Sequence, residues 1–317
     1  MRQYQGAVFF VDMLGIGALT QGQVTLSDCD FRTWGLSPLS SPTANLFCGQ
    51  LLTQFRSCLS KISRSHKNVK IAQLSDCAYI WSDSVVSVMD AAREFMWSSI
   101  GIGLLSRGGI AYGEIVEPNK TNKTIGQFVL GSAVTRAVGL EKSGKGCRIF
   151  IDDIIYEHST CTHGSPFKKG DIKVLKNHLD GSIVKEFCWY KTGGSSGDWH
   201  REEHSSAERI ITLLTKLQYC PRFNWNEASL QGCIQLACSI DSISDVTSEF
   251  IGNGNYILKS EDYLEFLPGH NERDSVLFKQ VLIDRLKDVS RFFIKGERKN
   301  MIYRTLGKRI VPCKGGS

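Results

Sequence analysis

The chain has 317 residues, 42% hydrophobic and 22% charged, which excludes a largely disordered protein and gives room for one large domain or two modest ones. Lys and Arg total 38 against 32 Asp and Glu, and the net +6 is spread along the chain: it suits anionic ligands but is not the basic stripe of a nucleic-acid binder. Eleven cysteines at irregular spacings include no CxxC pair and no Cys/His quartet of zinc spacing, so neither a disulfide framework nor a structural zinc is expected, and a reducing cytoplasm is.

The first apolar run, Ala7 to Thr20, is interrupted by Asp12, which argues against a signal peptide. No other run approaches the roughly 18 apolar residues of a membrane span, so a protein without one is expected. Ala7 to Val11 reads as a buried strand ending in Asp12, followed by the small-residue turn Met13-Leu14-Gly15-Ile16-Gly17. After a polar stretch from Asp28 to Ala44, Leu46, Cys48, Leu51, Leu52, Phe55 and Leu59 recur at helical spacing. Val69 to Leu74 and Cys77 to Trp81 predict a hairpin turning at Ser75-Asp76. Val85, Val88, Met89, Ala92, Phe95 and Met96 then step by threes and fours, which predicts an amphipathic helix from Ser84 to about Leu105, with Asp83 as its cap.

Gly108 to Val116 is strand-like, Gly126 to Gly131 a turn or short strand, Ser132 to Lys142 helical, and Cys147 to Asp152 another strand. Ile172 to Val174 and Ile183 to Tyr190 predict a second hairpin on Asp180-Gly181. The order strand, helix, hairpin, helix, strand, helix, strand is the split-βαβ, ferredoxin-like plan, an α+β fold. Thr192 to Gly197 is the best linker, dividing a domain at 1–195 from a helical extension at 196–317 that carries stripes such as Leu282, Leu286, Val289 and Phe293.

Two carboxylates stand out by position. Asp12 closes the first strand and Asp76 sits at the hairpin tip, and in a ferredoxin-like sheet those two elements are neighbours. Such a pair can hold two divalent ions about 3.5–4 Å apart, which activate an attacking oxygen and steady the charge on a transferring phosphoryl group. The loop Met13, Leu14, Gly15 and Ile16 adds backbone N–H groups suited to a triphosphate. An Asp ending a strand is more often a turn or cap residue; the joint placement favours nucleotidyl chemistry. His200-Arg201-Glu202-Glu203-His204 fits an inverted zinc-protease pattern, yet it follows the linker without an apolar frame and reads better as a solvated helix start.

On these residues the chain resembles the class III nucleotide cyclase catalytic domain over roughly residues 5 to 190. Phe10-Val11-Asp12-Met13-Leu14-Gly15 resembles the first metal motif, and Leu74-Ser75-Asp76-Cys77-Ala78-Tyr79 the second, with Ser75 where the family usually has glycine. Gly108 to Gly113 resembles the central strand, and Gly131 to Arg136 through Leu140-Glu141 the helix after it. The resemblance implies a ferredoxin-like sheet with helices on one face, two divalent ions (Mn or Mg) on Asp12 and Asp76, and a homodimer with composite sites.

The departures narrow it. The position that reads a purine, four residues before the second metal Asp, is Ala72, and its partner position is Phe128, neither with a polar side chain for a purine edge. The transition-state Asn aligns with Thr135 and the transition-state Arg with Gly139, leaving Arg136 or Arg107 to supply positive charge, and Lys185 aligns with a late-strand phosphate lysine. With Arg107-Gly108-Gly109-Ile110, this pattern is similar to the pyrimidine cyclases of the bacterial antiphage systems called Pycsar. That resemblance implies cyclic UMP or cyclic CMP made from UTP or CTP, with UTP preferred, as a messenger to a cyclic-nucleotide-responsive effector. Two rivals stay open: a cyclase-like nucleotide-binding or dimerisation module without catalysis, and an adenylyl or guanylyl cyclase reading its base through other residues.

Overall fold

The computed structural model describes residues 1–26, 31, 43–120, 126–161, 171–177 and 181–191, with 213, 235, 238, 239, 242 and 243. The chain divides into two compact units, one of Met1–Gln21 with Thr43–Trp189 and one of Gly22–Pro42 with Tyr190–Ser317. The second is described at few residues, among them Ser239, whose Oγ donates to Gln235 O at 2.6 Å. The expected extension at 196–317 lies, but for six residues, outside the described part, as do the stripe at 282–293 and the His200–His204 pattern. No helix among the described residues is long and apolar enough to cross a membrane.

The first unit is built on β1 (Arg2–Met13), where Ala7 to Val11 are all buried. A strand buried on consecutive residues needs cover on both faces and partners on both edges, and β1 has them. It runs antiparallel to β3 (Cys77–Ser82) on one side and to β4 (Ser106–Glu117) on the other. With β2 (Lys70–Leu74), β5 (Ile149–Ile151), β6 (Ile172–Lys176) and β7 (Ile183–Phe187), the seven-stranded order is β2-β3-β1-β4-β5-β7-β6. Its first four strands are the ferredoxin-like core, and β5 joins parallel to β4. The class is the expected α+β.

The helices are α1 (Ile16–Thr20), α2 (Ala44–Ser65), α3 (Val85–Gly101), α4 (Ser132–Lys142) and α5 (Asp153–Cys161). Period-two alternation along β1 sends Phe9 to one face and Val8, Phe10 and Asp12 to the other. On the Phe9 face α3 rests through Phe95, ring centroids 6.4 Å apart, and α2 packs on α3 through Phe55 at 5.4 Å. The opposite face carries Val8, Phe10, Trp81, Ala111 and Ile115 against Ala133 and Ala137 of α4. The one-face layering therefore holds for α2 and α3, while α4 takes the other side. Glycines on β4 make this approach possible: a Cβ on Gly109 would lie 2.7 Å from Leu140 Cβ and 2.8 Å from Glu141 N.

Two local expectations change. Ser84, not Asp83, caps α3, its side chain accepting from Ser87 N at 3.2 Å, while Asp83 lies 3.8 Å from Arg2. The second hairpin pairs Lys176 with Ile183, and Asp180 of its expected Asp180-Gly181 turn lies outside the described residues. Helix α5 was not anticipated, although its start is legible: Asp152 Oδ1 accepts from Ile155 N at 2.7 Å.

The sheet end opposite Asp12 is held by Glu117, the last residue of β4, whose side chain is wholly buried. Its carboxylate accepts from Trp81 Nε1 at 2.8 Å and from Lys70 Nζ, with Arg2 at 3.8 Å. Burial alone would raise the carboxyl pKa; the Lys70 and Trp81 hydrogen bonds and the Lys70 and Arg2 charges outweigh it and hold it below the usual value.

Candidate functional site

Asp12 is the second-last residue of β1, directly opposite Cys77 of β3 and Arg107 of β4. Asp76 stands in the two-residue turn between the paired Leu74 and Cys77, with Ser75 in the left-handed region at φ 55°. Two backbone bonds then tie the chain past Asp12 to its neighbours: Met13 N donates to Asp76 O and Leu14 N to Leu105 O, each at 2.9 Å. The strand end and the hairpin tip are thus stitched together. Asp12, its cross-strand partners and α4 share one face of the sheet.

The electrostatics of Asp12 are set first by burial and then by neighbouring negative charge. Burial, then the charges of Glu141 and Asp76, push the Asp12 carboxyl up to about 7, against the lowering effects of Arg107 and the Met13 N–H. Burial and then Asp12, Asp76 and Glu141 push the Cys77 thiol up to about 11. Arg107 is the nearby positive group, but its Nε donates to Glu141 Oε1 at 2.7 Å and its Nη2 to the same oxygen, and the residues are only 7% and 4% exposed. Glu141 is thus a buried ion partner of Arg107, whose charge still acts to lower the Asp12 carboxyl.

This donor set fits a hard divalent cation. Two carboxylate ligands leave most of an octahedral shell for water and phosphate oxygens, the usual arrangement for Mg at nucleotide sites. Among the described residues no group of three His, Cys, Asp or Glu is arranged to hold a metal ion.

The remaining expected residues fall into separate places. Met13 and Leu14 are buried with their N–H groups spent on Asp76 and Leu105, so the expectation that these two cradle a triphosphate is corrected: they anchor the Asp12 strand end instead. Gly15, at φ 93°, precedes α1, and Ile16 is buried. Ala72, opposite Tyr79 on β2, packs against the α4-face cluster. Phe128 is 49% exposed, close in sequence to Leu130, which bridges Val116 near the far end of β4.

Thr135 is exposed in the first turn of α4, its Oγ1 donating to Gly131 O at 3.4 Å. Arg136 Nη2 donates to Tyr112 O, with Nε 3.9 Å from Asp152. Lys185 Nζ lies 2.6 Å from Asp153 and 4.5 Å from the Tyr156 ring centroid. Asp152 also accepts from Tyr112 N at 3.0 Å, and burial raises its carboxyl pKa. Tyr112 is five residues past Arg107 on β4, about 17 Å along an antiparallel strand. The fold therefore gathers Asp12, Asp76 and Arg107 at one place and Arg136 with Lys185 at another.

Sequence reasoning missed Glu141, Cys77 and Asp152 as neighbours of these groups. Glu141 was legible only as a helix residue; nothing in its spacing showed that α4 would lay it against Arg107.

No protein-family model matches the chain, and no curated protein matches it. Among solved structures, it is similar to the guanylyl cyclase Cya2, at 13% identity and TM-score 0.41 over 59% of this chain and 91% of that one. It is also similar to the adenylyl cyclase CyaB from P. aeruginosa, at 16% identity and TM-score 0.39 over 59% and 95%. A third is the dimeric guanylyl cyclase domain of the RhoGC fusion protein from Blastocladiella emersonii, at 12% identity and TM-score 0.38 over 59% and 94%.

Proposed function

We propose that this chain is a pyrimidine nucleotide cyclase, converting UTP or CTP, with UTP preferred, into the 3′,5′-cyclic nucleotide and pyrophosphate. The observation that carries the proposal is the convergence of Asp12 and Asp76 from two separate strand ends, with Asp12 pushed up to about 7 by burial and like charge. Asp12 and Asp76 would hold two Mn or Mg ions, which when bound lower the pKa of the ribose 3′-hydroxyl and offset charge on the α-phosphate. The 3′-oxygen attacks the α-phosphorus in line, the bond to the bridging oxygen breaks, and pyrophosphate leaves.

The chain's own groups divide the remaining work. Arg136 supplies positive charge to the transferring group, Arg107 being tied to Glu141. Lys185 meets the phosphates by exchanging Asp153 for them, and Thr135 flanks the same site. The separation of Arg136 from Asp12 supports a composite site, in which one subunit of a homodimer presents Asp12 and Asp76 and the other presents Arg136 and Lys185. Gly15 and Ile16 contribute the part of the loop not anchored to neighbouring strands. Ala72 and Phe128 leave a base pocket without the donors and acceptors a purine reader needs, which favours a pyrimidine. We further propose, from the family resemblance, that the product signals to a cyclic-nucleotide-responsive effector in antiphage defence in the cytoplasm, and that 196–317 is a helical extension of the 1–195 catalytic domain.

Incubation with ATP, GTP, CTP and UTP in the presence of Mn, beside Asp76→Ala, tests this. Cyclic UMP or cyclic CMP from the parent alone is expected. Cyclic AMP or cyclic GMP would overturn the pyrimidine assignment, and no product from any nucleotide would favour the binding-module alternative.

A further inference from the structure

We propose that Glu141 is a positioning residue for the metal site, holding the Arg107 guanidinium away from Asp12 so that the carboxylate stays open to a cation. This deepens the function proposed above and rests on Asp12 being a metal ligand. Arg107 and Asp12 are direct cross-strand partners on one face, and such pairs have Cβ atoms about 4.5–5.5 Å apart. An arginine side chain spans that gap easily and forks naturally onto a carboxylate. Left to themselves, the two would form an ion pair that competes directly with a divalent ion.

Glu141 prevents this from the other layer. It arrives in the last turn of α4 and accepts Nε and Nη2 of Arg107 on one oxygen. The pair is buried, so its two charges are costly to separate. The backbone sets its place: Gly109, two residues beyond Arg107 and on the same face, has no side chain, and a Cβ there would stand 2.8 Å from Glu141 N. The alternative role for a carboxylate so placed is direct metal ligation, and the two roles make opposite predictions for a double variant.

Mn2+ binding to the nucleotide-free full chain, read by electron paramagnetic resonance of the free ion, decides between them. The variants are Glu141→Gln, the double variant Arg107→Met with Glu141→Gln, and Asp76→Ala. Glu141→Gln is expected to weaken Mn2+ binding at least tenfold, because Arg107 turns to Asp12, and the double variant to recover to within threefold of the parent. Parent-like binding by Glu141→Gln, or a double variant as weak as the single one, overturns the proposal. If circular dichroism shows Glu141→Gln unfolded, the double variant alone decides: parent-like binding supports the proposal and lost binding overturns it. Failure of the parent to bind Mn2+, or parent-like binding by Asp76→Ala, would instead overturn the metal-site assignment itself.

Discussion

Replacing Glu117 by alanine should unlock the sheet end opposite the Asp12 site. The substitution leaves Trp81 Nε1, on a fully buried residue, without its 2.8 Å acceptor, a loss of about 1–3 kcal/mol. Lys70 Nζ also loses its carboxylate, but its side chain is 39% exposed and water can replace much of that contact, so this ion pair adds about 1 kcal/mol or less. Removing side-chain methylenes from the interior adds about 1 kcal/mol more, for a sum of about 2–5 kcal/mol. At about 2–4 °C per kcal/mol for a unit of this size, thermal unfolding followed by circular dichroism should move down by about 4–20 °C. The pH dependence carries the sign. Because the folded Glu117 carboxyl lies below its unfolded value, its stabilisation is fully present above the unfolded pKa and is lost as pH falls through the folded one. The gap between parent and Glu117→Gln should therefore be widest near neutrality and close in acid. A gap that is the same at pH 7 and in acid, or an alanine variant within 1 kcal/mol of the parent, would refute the account of Glu117 as a charged buried hub.

A composite site predicts complementation: Asp12→Ala and Arg136→Ala, each inactive alone, should give about a quarter of parental cyclase activity when mixed and allowed to exchange subunits, since half the dimers are mixed and each holds one intact site. Exchange confirmed by mass without any activity would sink the two-subunit assignment of Arg136. Ser75→Gly should raise thermal stability by about 1 kcal/mol, because a non-glycine residue holds φ 55° in the hairpin turn; an unchanged or lower transition would show that Ser75 is not strained there.

The elements legible in the sequence were those with strong local signals. Asp12 and Asp76 stand out in the sequence because each borders a clear element: the apolar run before Asp12 marks a buried strand, and the tight spacing of Leu74 and Cys77 marks a hairpin tip. The helix at Ser132–Lys142 was legible to the residue. Helix α5 was passed over because a cap of one Asp before a short apolar pair is a weak signal beside the strand preceding it.

Which residues lie on one strand or helix followed from spacing alone, because periodicity is a property of the local backbone. That β1 is buried also followed from its uninterrupted apolar run, whereas its place between β3 and β4 is a matter of strand pairing. The face on which α4 lies did not: it depends on the missing side chains of Gly109 and Gly113 and on what Phe10 and Ala111 present to them. That choice carries Glu141 to Arg107, sets Glu141's negative charge beside Asp12, and ties Arg136 to Tyr112 further along β4. The two carboxylates, one at a strand end and one at a hairpin tip, were legible in the sequence; the charges around them were decided by packing between elements distant in sequence.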